Sequence, residues 1–458
     1  MVDLKIINGA VFLNSKLEEV NLAINNGKIV AIGKTGNTPQ AEKVIDAEGK
    51  LVLPGTVDPH VHIRDPGRPD RETFATGTMA AAAGGVTTLI EQPISTPPPY
   101  SPEIIKNRIK VARDKSYIDF AFYGAAGADK LEEIKKMAST GIVAYKTFLH
   151  SPPPGREEEF VGLTMENDGY IIAGLKKIAQ TGLICAVHAE NNEIIQYNIN
   201  KFKNKNKVDY IHHLKSRPPL TEIETVEKLL RFGKETGAKL EFVHISTADS
   251  MSLIKKAKRE GQEVFLETCP HFLFCTEEDM LKLGPFAKTN PPLRKKYMVK
   301  ELWKYVNDGS VDFIGSDHAP FLLEEKEKGY ENIFSCPAGF PSIQFRLPLM
   351  LDAVNNGMLT LDRMVELLAE NPARIFGLYP QKGVIKVGSD ADLVIVNMDK
   401  VFTVKKNMMF SKARDIAKIY EGKKLKGKPI FTIVRGKVIM IDDSIIGEKG
   451  WGKLVVPL

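Results

Sequence analysis

Val57-Asp58-Pro59-His60-Val61-His62-Ile63-Arg64-Asp65-Pro66-Gly67 follows on an apolar run, 51–57, with Pro54-Gly55 inside it. Residues two apart on a β-strand point to the same face, so His60 and His62 can present two imidazoles to one point just past a strand end. Two neutral imidazoles facing one point are a common start to a metal site. A pair of partly exposed loop histidines is the other reading of the same residues.

Working outward, short apolar runs at 86–90, 118–123, 142–148, 183–188, 240–244, 264–267 and 311–317 alternate with amphipathic helical stretches such as 101–115, 221–236 and 300–307. With the strand that enters His60 there are eight strands, each followed by a helix or a long loop. Eight such units in ~325 residues predict an α/β fold, a (β/α)8 TIM-type barrel over 54–378. An open doubly wound sheet is the alternative, but no Gly-rich phosphate turn follows the first strand.

The two chain ends have a different texture. Segments 4–9 and 20–27 alternate with period two and close on Asn8-Gly9 and Asn26-Gly27, a turn signal, and 28–33 continues in the same style. After Gly377 the β texture returns at 383–396, and 430–440 reads as a hairpin. Each end is too thin to hold a core alone. Residues 1–53 and 379–458 are therefore expected to share one small β-sandwich domain beside the barrel.

Composition bounds the function. The 458 residues suit a large core plus a smaller module, and 43% hydrophobic with 26% charged residues is ordinary for a soluble globular chain. The formal charge of +6 is small for this length. The Lys-rich runs 201–207 and 423–428 lack aromatic interleaving and read as solvated faces, so no nucleic-acid partner is expected. No apolar run approaches the ~18 residues of a membrane span, and the N-terminus lacks the pattern of a signal peptide. Cys185, Cys269, Cys275 and Cys336 form no CxxC pair. A reduced cytoplasmic protein with incidental thiols is the expectation.

Reactive groups of such barrels sit at the C-terminal ends of the strands. Those ends carry His60 and His62 (first), Lys146 (fourth), His188 (fifth), His244 (sixth) and Asp317 (eighth), so four of the nine histidines share one rim. Lys146 is the odd member, because an ammonium facing a divalent cation is repelled and costly to desolvate. Burial makes the neutral amine available, and that amine can react with carbon dioxide. The product carbamate is an anion with two oxygens, able to bridge two metals. A salt-bridged rim lysine is the competing reading.

At this point the sequence resembles the amidohydrolase superfamily and, within it, the cyclic amidohydrolases: dihydroorotases, allantoinases and hydantoinases. The resemblance covers nearly the whole chain. It rests on Pro54-Gly55-Thr56-Val57-Asp58-Pro59-His60-Val61-His62, Gly84-Gly85-Val86-Thr87-Thr88, Tyr145-Lys146, Val187-His188-Ala189-Glu190, Val243-His244-Ile245-Ser246, Glu267-Thr268-Cys269-Pro270-His271, Asn290-Pro291-Pro292-Leu293-Arg294, Ser316-Asp317-His318-Ala319-Pro320 and Asn371-Pro372-Ala373-Arg374. It implies a binuclear site, with zinc the expected ion. His60, His62 and Asp317 would hold one metal, His188 and His244 the other, with carboxylated Lys146 and a hydroxide bridging. Hydroxide attack opens the ring amide, with Asp317 as the catalytic general base that returns the proton to the leaving nitrogen. His318, His271 and Cys269, beside motif residues, read as supporting positions. The family also implies a small cyclic amide as partner and a homodimer or homotetramer.

The resemblance narrows the ring less well. Dihydroorotases hold the substrate carboxylate with an Arg two residues past the second His, matched by Arg64, and with an Asn before Pro-Pro-Leu-Arg, matched by Asn290. Ala338 and Gly339 lie in Pro337-Ala338-Gly339-Phe340-Pro341, similar to the dihydroorotase loop that contacts the ring. Two positions depart. Ile94 stands where an Asn should follow Gln92-Pro93, and Phe321 stands where a His should follow Asp317-His318-Ala319-Pro320. Pro66-Gly67-Arg68 and Ser216-Arg217-Pro218 lean towards allantoinase, and Phe376-Gly377-Leu378-Tyr379-Pro380 towards hydantoinase. Three readings remain: a dihydroorotase-type enzyme, favoured through Arg64 and Asn290; the same chemistry on allantoin, a hydantoin or a dihydropyrimidine, favoured by Ile94 and Phe321; and a non-catalytic scaffold of the same fold.

Overall fold

The N-terminal alternation buries Val2, Leu4 and Ile6 on one face of β1 (Val2–Leu13). The computed structural model describes residues 1–34 and 36–458. β1 is one long strand that runs straight through Asn8-Gly9, so that pair is a bulge and the expected turn is absent. Asn8 adopts φ 54°, and the register with the next strand shifts between Ile6 and Gly9. The reason is a change of partner. β1 pairs in parallel with one neighbour up to Ile7 and with another from Ala10. A Cβ on Gly9 would stand 2.6 Å from Val52 Cγ2, so only glycine lets the second partner approach. The chain reverses at Asn14-Ser15 instead, leading into β2 (Lys16–Asn25). Asn26-Gly27, with φ 50° and 76°, makes the expected tight turn into β3 (Lys28–Gly33). β4 (Ala41–Asp46) and β5 (Leu51–Pro54) are the two parallel partners of β1.

The barrel strands are β6 (Thr56–Val61), β7 (Val86–Glu91), β8 (Asp119–Ala125), β9 (Ala144–Phe148), β10 (Ile184–His188), β11 (Leu240–Phe242), β12 (Val264–Thr268) and β13 (Phe313–Ile314). They pair in parallel in sequence order, eight strands among the described residues. Nearly every residue in them is buried, as strands covered on both faces must be. β6 and β13 share no ladder. The ring closes beyond their ends, where Val61 bridges His318 and the His62 N–H donates to the His318 carbonyl at 2.8 Å. Helices between the strands follow local rules. In Pro102–Lys115, Ser101 caps the Ile104 N–H, Pro opens the first turn, Glu103 lies at the positive end, and Arg113 and Lys115 lie at the negative end.

β14 (Leu393–Thr403), β15 (Lys424–Val434), β16 (Lys437–Ile441) and β17 (Ser444–Ile445) join the N-terminal strands in one mostly antiparallel sheet, nine strands among the described residues. It folds over on itself: the Ala391 N–H donates to Gly27 O at 2.8 Å, and Gly436 packs on Ile24, although these strands are far apart in the ladder order. Lys382 ties this sheet to the barrel, reaching Asp119 of β8 at 2.5 Å and Asp392 at 2.7 Å. The last residues leave the sheet. The Phe120 N–H donates to Lys453 O at 3.0 Å and the Val455 N–H to Phe120 O at 2.8 Å, so the chain end seals the lower mouth of the barrel. Among the described residues no helix is long and apolar enough to cross a membrane, and all four cysteines are free and buried.

Candidate metal and active site

The opposite mouth carries the chemistry. His60 lies inside β6 and His62 one residue past it, while Lys146 is the central residue of β9 and His188 ends β10. His244 and Asp317 lie just beyond β11 and β13 in left-handed backbone, φ 43° and 50°. That conformation is costly for residues with a side chain and persists where the surroundings impose it, which at a strand end turns the side chain into the barrel mouth.

The six converge. His60 Nε2 and His62 Nε2 lie 3.3 and 3.5 Å from one Asp317 carboxylate oxygen, and one ligand atom from each of the three falls within 4.8 Å of the others. His188 Nδ1 is 3.0 Å from His244 Nε2. The His60 and His244 rings, 5.4 Å apart between centroids, join the two groups. Burial lowers the protonation range of all four imidazoles, His62 and His244 well below the usual value and His60 down to about 3, while Glu190 partly offsets the effect at His188. They are therefore neutral and offer lone pairs, the form a metal requires.

Lys146 completes the ring. Its side chain is fully buried, its amine makes no hydrogen bond, and burial pushes it down to about 8. Its charge bears on all four imidazoles. An orphaned amine among converging lone pairs favours the neutral form. The neutral imidazoles and the Asp317 carboxylate thus form a donor set that fits divalent cations, with His60, His62 and Asp317 as the group within reach of one ion.

A supporting layer escaped the sequence reading. Glu267, which ends the run 264–267 on the seventh strand, accepts from His60 Nδ1 at 2.8 and 3.0 Å and from the His244 N–H at 2.9 Å, joining both halves of the site. Glu190 lies 2.8 Å from His188 Nε2, leaving Nδ1 to face the site, and is itself paired to Arg217. Asp58 accepts the Ser316 N–H at 3.0 Å and so fixes the turn into Asp317. Their signal was an acid at or beside each motif. His150 was also missed; its ring meets that of His188 edge-on at 5.5 Å and lines the cavity. His318 receives the Ser342 N–H at 3.1 Å, and His271 packs on Phe340 at 5.3 Å with both nitrogens unpartnered. Cys269 is fully buried, which raises its thiol well above the usual range.

The six residues and Arg64, Ile94, Asn290, Phe321, Ala338 and Gly339 all line one cavity of about 900 Å³. Arg64 donates from Nη1 to the Ile94 carbonyl at 2.8 Å and lies 5.0 Å from the Phe321 ring, with Nε unpartnered. Burial pushes its guanidinium down to about 9 against the opposing pull of the Glu159 and Glu91 carboxylates, and among the described residues no carboxylate lies within ion-pair distance of it. The Asn290 carbonyl oxygen is likewise buried and unpartnered. The Gly339 N–H does not face the cavity; it donates to Lys288 O at 2.8 Å.

Residues 51–439 match the model of the amidohydrolase family. The chain is 35% identical over 459 residues to an L-hydantoinase of Paenarthrobacter aurescens, covering 99% of this chain and 98% of that one. It is 36% identical over 467 residues to a dihydroorotase of Methanosarcina mazei, at the same coverages. An allantoinase of Bacillus licheniformis is 35% identical over 461 residues, with 98% of each chain covered. The fold superposes on the solved L-hydantoinase (dihydropyrimidinase) from Arthrobacter aurescens with a TM-score of 0.95 and 35% identity over 100% of both chains.

Proposed function

This chain belongs to the amidohydrolase family and is a cyclic amide hydrolase within it, and we propose that the ring it opens carries a carboxylate, as dihydroorotate does. The observation that carries the reading is the pair of unsatisfied anchors. Arg64 and Asn290 both line the cavity, and each holds a buried side-chain atom, Nε and Oδ1, without a partner. Buried polar groups left open in this way cost stability unless a ligand completes them. Arg64 would meet the carboxylate, and Asn290 would accept a ring N–H. The cavity is also rich in cations: Arg68, Arg71, Arg156 and Arg217 line it against Glu190, Asp317 and Glu325. That balance draws in an anion.

In this reading His60, His62 and Asp317 would hold one divalent cation and His188 and His244 the other, with carboxylated Lys146 as a further ligand and zinc the proposed ion. The cations supply Lewis-acid polarisation of the ring carbonyl and acidify the attacking water. Asp317 takes the proton of that water and delivers it to the leaving ring nitrogen. Glu267 and Glu190 keep the imidazoles aimed, and Ile94 and Phe321 keep bulk water from the ring. The product is an open-chain acid with a ureido group.

A second reading is an uncharged ring such as a hydantoin. The apolar Ile94 and Phe321 favour it, as does the likeness to an L-hydantoinase. Hydrolysis of dihydroorotate, allantoin, hydantoin and dihydrouracil by metal-loaded protein tests the choice. Preference for dihydroorotate is expected. Preference for an uncharged ring would replace the first reading by the second.

A further inference from the structure

One part of the cavity wall is made by residues 334–339, which lie in no strand and in only one short 3-10 turn, Ile333–Ser335. A segment with so little regular structure needs another source of order if it is to present a fixed surface. Two lysines supply it. Lys288 Nζ donates to the Ile333 carbonyl at 2.7 Å and to the Cys336 carbonyl. Lys326 Nζ donates to the Pro337 carbonyl at 2.9 Å and the Gly339 carbonyl at 3.0 Å. Lys288 also takes the Gly339 N–H on its own carbonyl. Both side chains are buried, and among the described residues neither forms an ion pair.

Burying an ammonium without a carboxylate is expensive, and it is tolerated only where fixed carbonyls replace the lost water. Four carbonyls of one short segment are thus turned onto two amines. The arrangement has a consequence for the residue between them. Ala338 lines the cavity, and its own N–H and C=O make no hydrogen bond among the described residues. We propose that Lys288 and Lys326 are positioning residues, which lock the 333–339 segment so that the Ala338 peptide, in the loop already similar to the ring-contacting loop of dihydroorotases, presents a fixed hydrogen-bonding edge. The lysines do not touch the reacting atoms; they set where that edge stands. Gly339, with φ 124°, lies against Ala319, which a Cβ would approach to 2.5 Å, so the segment is pinned from its other side as well.

The inference rests on this cavity being the substrate site, as proposed above, and it can fail separately. Lys288→Met and Lys326→Met remove the donors while keeping the length of the side chain. With whichever ring the unmodified enzyme turns over best, each variant is expected to raise KM about tenfold, with kcat changed less than about threefold and metal content unchanged. Amide exchange over 333–340 should quicken in step. A fall in Tm with KM and exchange at the unmodified values would overturn the proposal, leaving the lysines as ordinary packing. If a variant does not fold, the unmodified protein still decides. Without substrate, the Gly339 amide should exchange as slowly as those of the barrel strands, and exchange at the rate of an open loop would refute the lock. If no ring is hydrolysed, the functional reading falls, and the exchange measurement still tests the lock.

Discussion

Gly315, two residues before Asp317, tests whether Glu267 organises the site. A methyl group at Gly315 would stand 1.8 Å from Glu267 Oε1 and 2.7 Å from His60 Cβ. Restoring an ordinary contact of 3.4 Å needs a movement of about 1.6 Å, and both neighbours are buried. Glu267 holds His60 at 2.8 Å and the His244 N–H at 2.9 Å, so a shift of that size breaks hydrogen bonds to both halves of the site. Overpacking alone costs about 1–3 kcal/mol of stability. Misaiming two ligands weakens metal binding by about 10–100-fold, and a displacement above 1 Å at the reacting centre costs about 100-fold in rate. Gly315→Ala should therefore fold with a lowered Tm, lose metal to a chelator that leaves the parent loaded, and show kcat/KM down by about two orders of magnitude. Gly357→Ala is the control: its φ of 68° imposes backbone strain, but nothing lies within 4 Å of the new methyl. It should lose about 1–2 kcal/mol of stability and no activity. Metal affinity and kcat/KM within twofold of the parent in Gly315→Ala would refute the role given to Glu267.

Three further outcomes follow from the geometry. Lys146→Ala should lose the metal pair and turnover, with partial recovery on adding short-chain carboxylic acids; normal two-metal content and activity would exclude the carbamate bridge. Arg64→Ala should reduce kcat/KM on a carboxylate-bearing ring by about 100-fold, the scale of a buried charge-assisted pair, and matter far less for hydantoin; equal losses on both rings would remove Arg64 from the carboxylate site. Burial pushes Lys326 down to about 7 and Lys288 to about 8, against 10.5 for a free lysine. The unfolded chain then binds more protons between pH 7 and 10.5, so stability rises with pH across that window and is lost on acidification. Tm should climb by roughly 2 °C or more from pH 7 to pH 9, with a shallower climb in Lys326→Met; equal slopes would contradict the buried-amine account.

Much of the site was legible because a barrel places its chemistry at strand ends, and strand ends can be found from apolar runs. His60, His62, His188, His244 and Asp317 close or follow such runs, and Lys146 lies inside one, at the centre of β9. Glu267 sits at a strand end as well, yet nothing in its neighbourhood along the chain shows that it reaches both His60 and His244. Its partners lie 207 and 23 residues away. Asn8-Gly9 misled for the opposite reason. It is a strong local turn signal, overridden because one long strand must exchange one parallel neighbour for another at that point.

The sequence by itself determined the βα repeat, the two β-rich ends and the ring of candidate ligand side chains, since each follows from local periodicity and residue type. Only the tertiary structure decided how that ring is supported and what lines the pocket above it. The meeting of Arg64 with Ile94 and Phe321, the carbonyls gathered by Lys288 and Lys326, and the chain end sealing the barrel floor all join segments remote in the chain. Such contacts depend on how strands close into a barrel, and pattern along one strand carries no record of its partner across the mouth.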